Sequence, residues 1–513
     1  MVYDHIVVGA GTAGAILAAR LSEDPERSVL LLEAGPDYPD SHRMPDEIKY
    51  AYSRFGRLLP KAFGPASKHD WNFEARATPD RVMPVYRGKV TGGSSAVNAM
   101  IFLRGVPEDF DRWAAFGNDE WSFENLLPFF RKIETDLNFE GEYHGNTGPI
   151  PVSRFQKDDW HEDQLAFYNS CLNAGFAACP DHNHPDATGV GPIPFNTSNG
   201  IRWSTALGYL DPARSRSNLT VQPDTLVHRV LLEGKTAVGV VVERGSEVST
   251  IYGNQVELCA GSIGSPHLLL LSGIGPPRKD SPVPVVHDLP GVGKNLRDHP
   301  MVSLTWKTIE SFEQNSLAPQ LQVFLRTTTP GSPIRNDLMI QQVSLATRPS
   351  NSDSADFRGI GMAVILGLAQ GAGELRLASG DPRIQPILDY SFLREPIDRQ
   401  RLRVGVRTSL GLARYPELSR ITEGRLDPAD EDLTSDNALD EWVSSRVSTA
   451  HHVSGTCKMG PASDPLAVVD QRGRIHGIDG LLVADASIMP DCIRANTNAT
   501  TMMIAERIAH FLA

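Results

Sequence analysis

A short apolar run, a glycine-punctuated turn, a small-residue helix, a second apolar run and a single acid follow one another at the start of the chain. Few folds accept that order. Ile6-Val7-Val8 has the character of a buried parallel strand. Gly9-Ala10-Gly11-Thr12-Ala13-Gly14 is a GxGxxG turn, Ala15 to Leu21 favours helix, Asp24-Pro25 closes it, and Val29 to Leu32 forms a second buried strand. The glycines serve different ends. Gly9 allows the tight turn, Gly11 lets backbone amides approach a pyrophosphate, and Gly14 lets the helix pack on the strand. Thr12 and Ala13 then stand at a helix N-terminus that faces phosphate charge. Glu33, followed by Ala34, ends the second strand about 20 residues after the turn, where a carboxylate can accept ribose hydroxyls. The unit predicts a dinucleotide site. By itself it does not separate FAD from NAD.

The chain has 513 residues, enough for more than one domain. Acidic residues outnumber basic ones, 62 to 49, and no Lys/Arg block stands out, which argues against a nucleic-acid partner or an anionic membrane surface. Five scattered cysteines without a CxxC pair point to reduced thiols rather than a disulfide framework or a zinc site. The first strand follows directly on Met1, and no apolar stretch is long enough for a membrane span, so a cytoplasmic location is expected. Residues 34–90 predict long loops around short elements. Asp109 to Glu134 predicts helix in pieces, broken near Trp121 and Pro128. Strand-like runs occur at Leu226 to Glu233 and Val238 to Glu243, and a closing helix is expected from about Thr500.

Walker A, HExxH and GxSxG motifs are absent. The adjacent pair His451-His452 would not share one face of a strand, and no third ligand is evident, so no metal is expected. His144 and His299 are expected to be structural or surface residues, and His267, placed at the start of a helix, carries no assignment.

Arg87-Gly88-Lys89-Val90-Thr91-Gly92-Gly93-Ser94-Ser95-Ala96-Val97-Asn98 resembles the first signature of the glucose–methanol–choline oxidoreductases. Gly261-Ser262-Ile263-Gly264-Ser265-Pro266-His267-Leu268-Leu269, running on to Ser272-Gly273-Ile274-Gly275, resembles the second. His452-Val453-Ser454-Gly455-Thr456-Cys457-Lys458-Met459-Gly460 is similar to that family's HxxGTCxMG segment, and Gly480 to Ser487 to its late flavin-contacting turn. Smaller matches fall between them in the same order, so the resemblance spans essentially the whole chain. Thr91 departs from it, where an apolar residue is usual.

The resemblance implies an α/β chain, α+β overall, with a Rossmann-like FAD-binding domain interleaved with an antiparallel-sheet substrate domain. The first is expected at 1–155, 221–300 and 445–513, the second at 156–220 and 301–444. Val90 leads into Gly92, Gly93 and Ser94, whose amides and hydroxyls suit a diphosphate. Asn98, Ala99, Met100 and Ile101 are implied to lie against the isoalloxazine ring, and Val227 at the adenine end. Asp485 and Ala486 are implied beside the pyrophosphate or ribityl chain. Asn498, Ala499, Thr500 and Thr501, ahead of the last helix, would offer amides to the pyrimidine edge. Val97 stands where some members link the flavin through a histidine, so the FAD is expected to be non-covalent.

The implied activity is oxidation of a small primary or aryl alcohol to the aldehyde, by hydride transfer to the flavin and proton transfer to a base. His452 is in register for that base, with Asn496 as its partner in the turn before the last helix. His451, one residue off, is expected to point elsewhere. The electron acceptor stays open between oxygen, a dye or quinone, and a carrier protein. Other chemistries in the same family also stay open: a FAD-containing hydroxynitrile lyase, a fatty-acid photodecarboxylase, or a redox-silent flavoprotein.

Overall fold

The structure is a computed structural model. It describes residues 2–53, 56–57, 62–65, 67–278, 281–313, 319–346 and 357–513. Part of the 34–90 stretch expected as loop therefore lies outside the described residues. Within it stand the short helix Asp46–Lys49 and the paired strands Phe73–Thr78 and Arg81–Val85.

Two seven-stranded sheets organise the chain. In the first, Leu219–Gln222, Val29–Leu32, Val2–Val8, Glu247–Leu258 and Leu481–Val483 run parallel, with Ile6 level with both Leu30 and Val256. Thr236–Arg244 and Thr225–Glu233 extend it as an antiparallel meander. Val29–Leu32 and Leu481–Val483 are buried apolar runs, Val29 to Leu32 being at most 1% exposed, as strands covered on both faces require. The second sheet is antiparallel throughout: Thr422–Asp427, Pro300–Thr308, Gly359–Leu366, Leu338–Val343, Val323–Thr327 and Gly189–Pro192, with Ser448–Thr449 also paired to Pro300–Thr308. Helix Pro396–Leu412 lies across this sheet at Gly405, where a Cβ would come within 2.4 Å of Val364.

The last helix, Thr497–Leu512, packs on the first, Thr12–Leu21. Thr12 Oγ1 donates to Asn498 Oδ1 at 3.1 Å, across 486 residues of sequence. Glu506, fully buried, is held by Arg20 at 2.8 Å, Lys132 at 2.8 Å and the Tyr209 hydroxyl at 2.9 Å. A buried carboxylate needs partners of this kind to stay charged.

Two helix boundaries differ from expectation. Pro128 does not break its helix, which runs Phe123–Ile133. The proline ring faces solvent while Leu126, Phe130 and Ile133 are buried, and packing of that face offsets the missing N–H. The last helix begins at Thr497, not near Thr500, with Asn496 at its N-cap position. The five cysteines are free and buried. Among the described residues no helix is long and apolar enough to cross a membrane.

Candidate active site

One end of the site is made from main chain. Gly9 has φ of 96° and donates to Leu32 O at 2.8 Å, turning the chain out of the first strand. A Cβ on Gly14 would sit 1.8 Å from Gly9 O, so the third glycine lets the helix seat on the strand as expected. The second glycine turn lies against the first. Gly92 N donates to Ala10 O at 2.7 Å, and a Cβ on Gly93 would come within 2.6 Å of Gly11 Cα. Both Gly92 and Gly93 have positive φ, 92° and 51°. The first-turn amides at Thr12 and Ala13 have no intrahelical acceptor and so remain available to an anion.

Glu33 closes this end. Its carboxylate accepts from Ala10 N at 2.9 Å and Gly35 N at 2.8 Å. Burial pushes it up to about 7, and those two amides pull it back toward ionisation. Asp485 likewise accepts from Gly261 N at 2.8 Å, Ser265 Oγ at 2.5 Å and Ser487 N at 2.8 Å. Burial raises its pKa against these donors.

A cavity of about 420 Å³ runs from here to the histidines. Gly9, Gly11, Thr12, Ala13, Glu33, Ala34, Gly93, Ser94, Asn98, Ala99, Ile101, Val227, Asp485, Ala486 and Asn498 line it, together with His452 and Asn496. Gly14, Val90, Gly92, Met100, Ala499 and Thr500 stand outside the lining. Val90 is packed with Ile48 and Val97, and Met100, at φ of 62°, donates its amide to Asn98 Oδ1 at 2.9 Å. Asn498, Ala499, Thr500 and Thr501 fall inside the last helix rather than ahead of it. The cavity suits FAD in its chemistry. An amide-rich edge and a carboxylate occupy one end, with the buried, unpartnered Asn498 Nδ2 near Thr12, and the buried, unpartnered Asn496 Oδ1 lies beside His452 at the other.

The histidine end is made from side chains. His452 sits in a loop just after Ser448–Thr449, fixed by its amide donating to Asp298 Oδ1 at 2.9 Å. Asn496 has the extended backbone of an N-cap, yet its side chain makes no cap hydrogen bond. Its Nδ2 instead lies 2.9 Å from His452 Nε2. The other ring nitrogen, Nδ1, lies 2.8 Å from Nδ1 of His299. Burial, then the neighbouring His299, His451 and Arg87, hold His452 well below the ordinary histidine range.

Two histidines depart from their expected places, and a third, His299, is buried rather than at the surface: it is 2% exposed and bonded to His452. A histidine at the head of a strand carries no local signal of such a contact. His451 does not point away from the site, because its φ of 66° breaks the alternation of a strand; it lines the cavity beside Tyr86, ring centroids 5.2 Å apart. Burial takes it down to about 3. His267 lies in the interior of helix Gly261–Leu271 rather than at its start, and lines the cavity too. The third ligand that the histidine pair lacks in sequence has candidates in space, since Asp298, His299 and His452 are spaced to hold a metal ion, as are Glu134, Asp136 and His144. In the first group the two rings bond each other and Asp298 accepts from backbone amides and Thr449 Oγ1; in the second the atoms bond one another or arginines. Arg104 and Arg154 reach Glu134 and Asp136 at 2.5 and 2.8 Å.

Comparison with known proteins accords with this geometry. The two GMC oxidoreductase family models match residues 3–301 and 369–505. A GMC-type oxidoreductase of Rhodococcus erythropolis, itself uncharacterised, is 38% identical, over 99% of this chain and 98% of its own length. Oxygen-dependent choline dehydrogenase 1 of Chromohalobacter salexigens is 36% identical, covering 99% and 94%. The crystal structure of pyridoxine 4-oxidase from Mesorbium loti superposes with a TM-score of 0.91 at 30% identity, covering 99% of both chains. With the paired glycine turns, Glu33 and the histidine–asparagine pair in one cleft, the chain belongs to the GMC oxidoreductases and is an FAD-dependent oxidoreductase.

Proposed function

We propose that this enzyme oxidises an uncharged primary alcohol, aryl or small aliphatic, to the aldehyde, with His452 as the base and Asn496 as the donor to the alcohol oxygen. The observation that carries this reading is the contact between Asn496 Nδ2 and His452 Nε2 at 2.9 Å within the cavity. An amide nitrogen only donates, so Nε2 must present a lone pair there. An alcohol bound between the two gives its hydroxyl proton to Nε2, and the Asn496 amide turns to the oxygen as negative charge develops. Bound FAD supplies the hydride acceptor for the carbon. The low proton affinity of His452 keeps it neutral, and therefore competent, at physiological pH.

The lining supports an uncharged substrate. Its acids, Glu33 and Asp485, belong to the dinucleotide end and are fully engaged by amides and a hydroxyl. The histidine end offers Phe63, Tyr86, His451 and the cation Arg87, close enough to act electrostatically on both His451 and His452. A quaternary ammonium would meet like charge there and no carboxylate. Choline is therefore expected to be a poor substrate despite the likeness to choline dehydrogenases. Val97 lines the cavity and has no nucleophile for the flavin, so acid precipitation is expected to release FAD into the supernatant.

The test is anaerobic. Benzylic and short aliphatic alcohols are added to the flavin-loaded enzyme, with choline alongside, and the yellow colour is followed. Bleaching by the uncharged alcohols supports the reading. A flavin that no alcohol bleaches sinks it in favour of a lyase or a redox-silent protein, and preferential bleaching by choline overturns the substrate class.

A further inference from the structure

His299 is enclosed by protein, yet all of its polar atoms are engaged, and the pattern admits one arrangement of protons. Its Nε2 lies 2.6 Å from Ile493 O. A carbonyl only accepts, so Nε2 carries hydrogen. Burial holds His299 below the ordinary histidine range, so the ring is neutral and its Nδ1 is a lone pair. That lone pair faces His452 Nδ1 at 2.8 Å, which must therefore carry the hydrogen between them. A neutral His452 protonated at Nδ1 has a bare Nε2, which is where Asn496 donates. The chain from Ile493 O through His299 and His452 to Asn496 is consistent in one sense only.

We propose that His299 is a positioning residue that locks His452 in its Nδ1–H tautomer and then receives a proton from it during turnover. The inference rests on the reading of His452 as the base. As the alcohol O–H bond breaks, a new N–H bond forms at His452 Nε2. The proton at His452 Nδ1 passes to His299 Nδ1, leaving His452 neutral and His299 a cation with both N–H groups partnered. One proton enters the pair and no electrons move within it. The positive charge thus leaves the reacting carbon's vicinity and comes to rest beside Asp298, whose carboxylate accepts from the amides of His299 at 2.6 Å and His452 at 2.9 Å and from Thr449 Oγ1 at 2.6 Å. The other charges facing the pair are Asp109 and Arg297 around His299, and Arg87 with the neutral His451 around His452. Asp298 and Asp109 favour a cation at His299, whereas Arg87 disfavours one at His452, so the field points the proton inward.

Two substitutions separate lock from proton acceptor. In His299→Asn the side-chain carbonyl can still accept from Nδ1–H but cannot take a proton; His299→Leu removes both functions. Flavin-loaded enzymes, with His452→Ala in parallel, are read by the rate of flavin reduction against pH and by nitrogen NMR of histidine-labelled protein. We expect the wild type to show a pyridine-type Nε2 on His452, identified by its loss in His452→Ala. His299→Asn should keep that signal, slow reduction about tenfold and move the acid limb to lower pH. His299→Leu should lose the single tautomer and slow reduction about 10²-fold. If both position-299 variants keep the original rate and pH profile while His452→Ala is slow, the inference fails and the base survives. If His452→Ala itself reduces its flavin at the original rate, the base reading falls and this inference with it.

Discussion

The two ends of the cavity are made of different materials. The dinucleotide end is amides, glycine contacts and two carboxylates that accept from backbone N–H groups. The histidine end is the side chains of His451, His452 and Asn496, with Asp298 and His299 buried behind His452. Main-chain donors give a charged cofactor a rigid cradle whatever side chains surround it. Side-chain donors can be tuned in proton affinity without disturbing that cradle. Binding and chemistry should therefore be separable by mutation.

The sharpest way to test that separation is His452→Ala. It should slow flavin reduction about 10²–10⁴-fold while FAD stays bound, measured by anaerobic stopped flow. Loss of the flavin along with the rate would break the comparison. The proposed base also sets the expected pH dependence. It must be neutral to act, so kcat/KM should fall as pH drops through its pKa, with the acid limb below the ordinary histidine value of about 6.5. A limb at or above that value would mean His452 is not the titrating group. Asn496→Ala should cost about 10–10²-fold in the same experiment, because a donor and not the base is lost.

The converse change lies at the other end. Gly93→Ala puts a methyl into Gly11 at a left-handed φ, a strain of about 1–3 kcal/mol. FAD affinity should weaken about tenfold or more, read by flavin fluorescence on dilution, with the rate of the loaded fraction nearly unchanged. His451→Ala should do least, about threefold or less in flavin reduction, since its Nδ1 has no hydrogen-bond partner. A larger loss there than at His452 would exchange the roles of the two histidines.

The same division governed what could be read from sequence. The glycine turn and Glu33 are contiguous and obey local rules, so strand, turn, helix and acid were legible together. His452 and Asn496 were legible only through family resemblance, since nothing local joins residues 44 apart. The contact of His299 with His452 was not legible because the two lie 153 residues apart. His451 was misjudged because alternation assumes extended backbone, and a φ of 66° voids the assumption. The start of the last helix was misplaced by three residues. Asparagine is a favoured N-cap, but here its amide serves His452 instead of the helix, so the usual signature is hidden.

The contact between the two terminal helices has a consequence for how the protein is made. Thr12 and Asn498, and Arg20 and Glu506, are 486 residues apart in sequence and meet only when both helices exist. On a ribosome the βαβ unit emerges first, but its cleft has no floor until the final helix is released. Until that helix is made the glycine turn has only part of its cleft, so stable capture of FAD is expected to follow its release. Deleting Thr497–Ala513 should leave a chain that forms its early strands and retains no yellow colour.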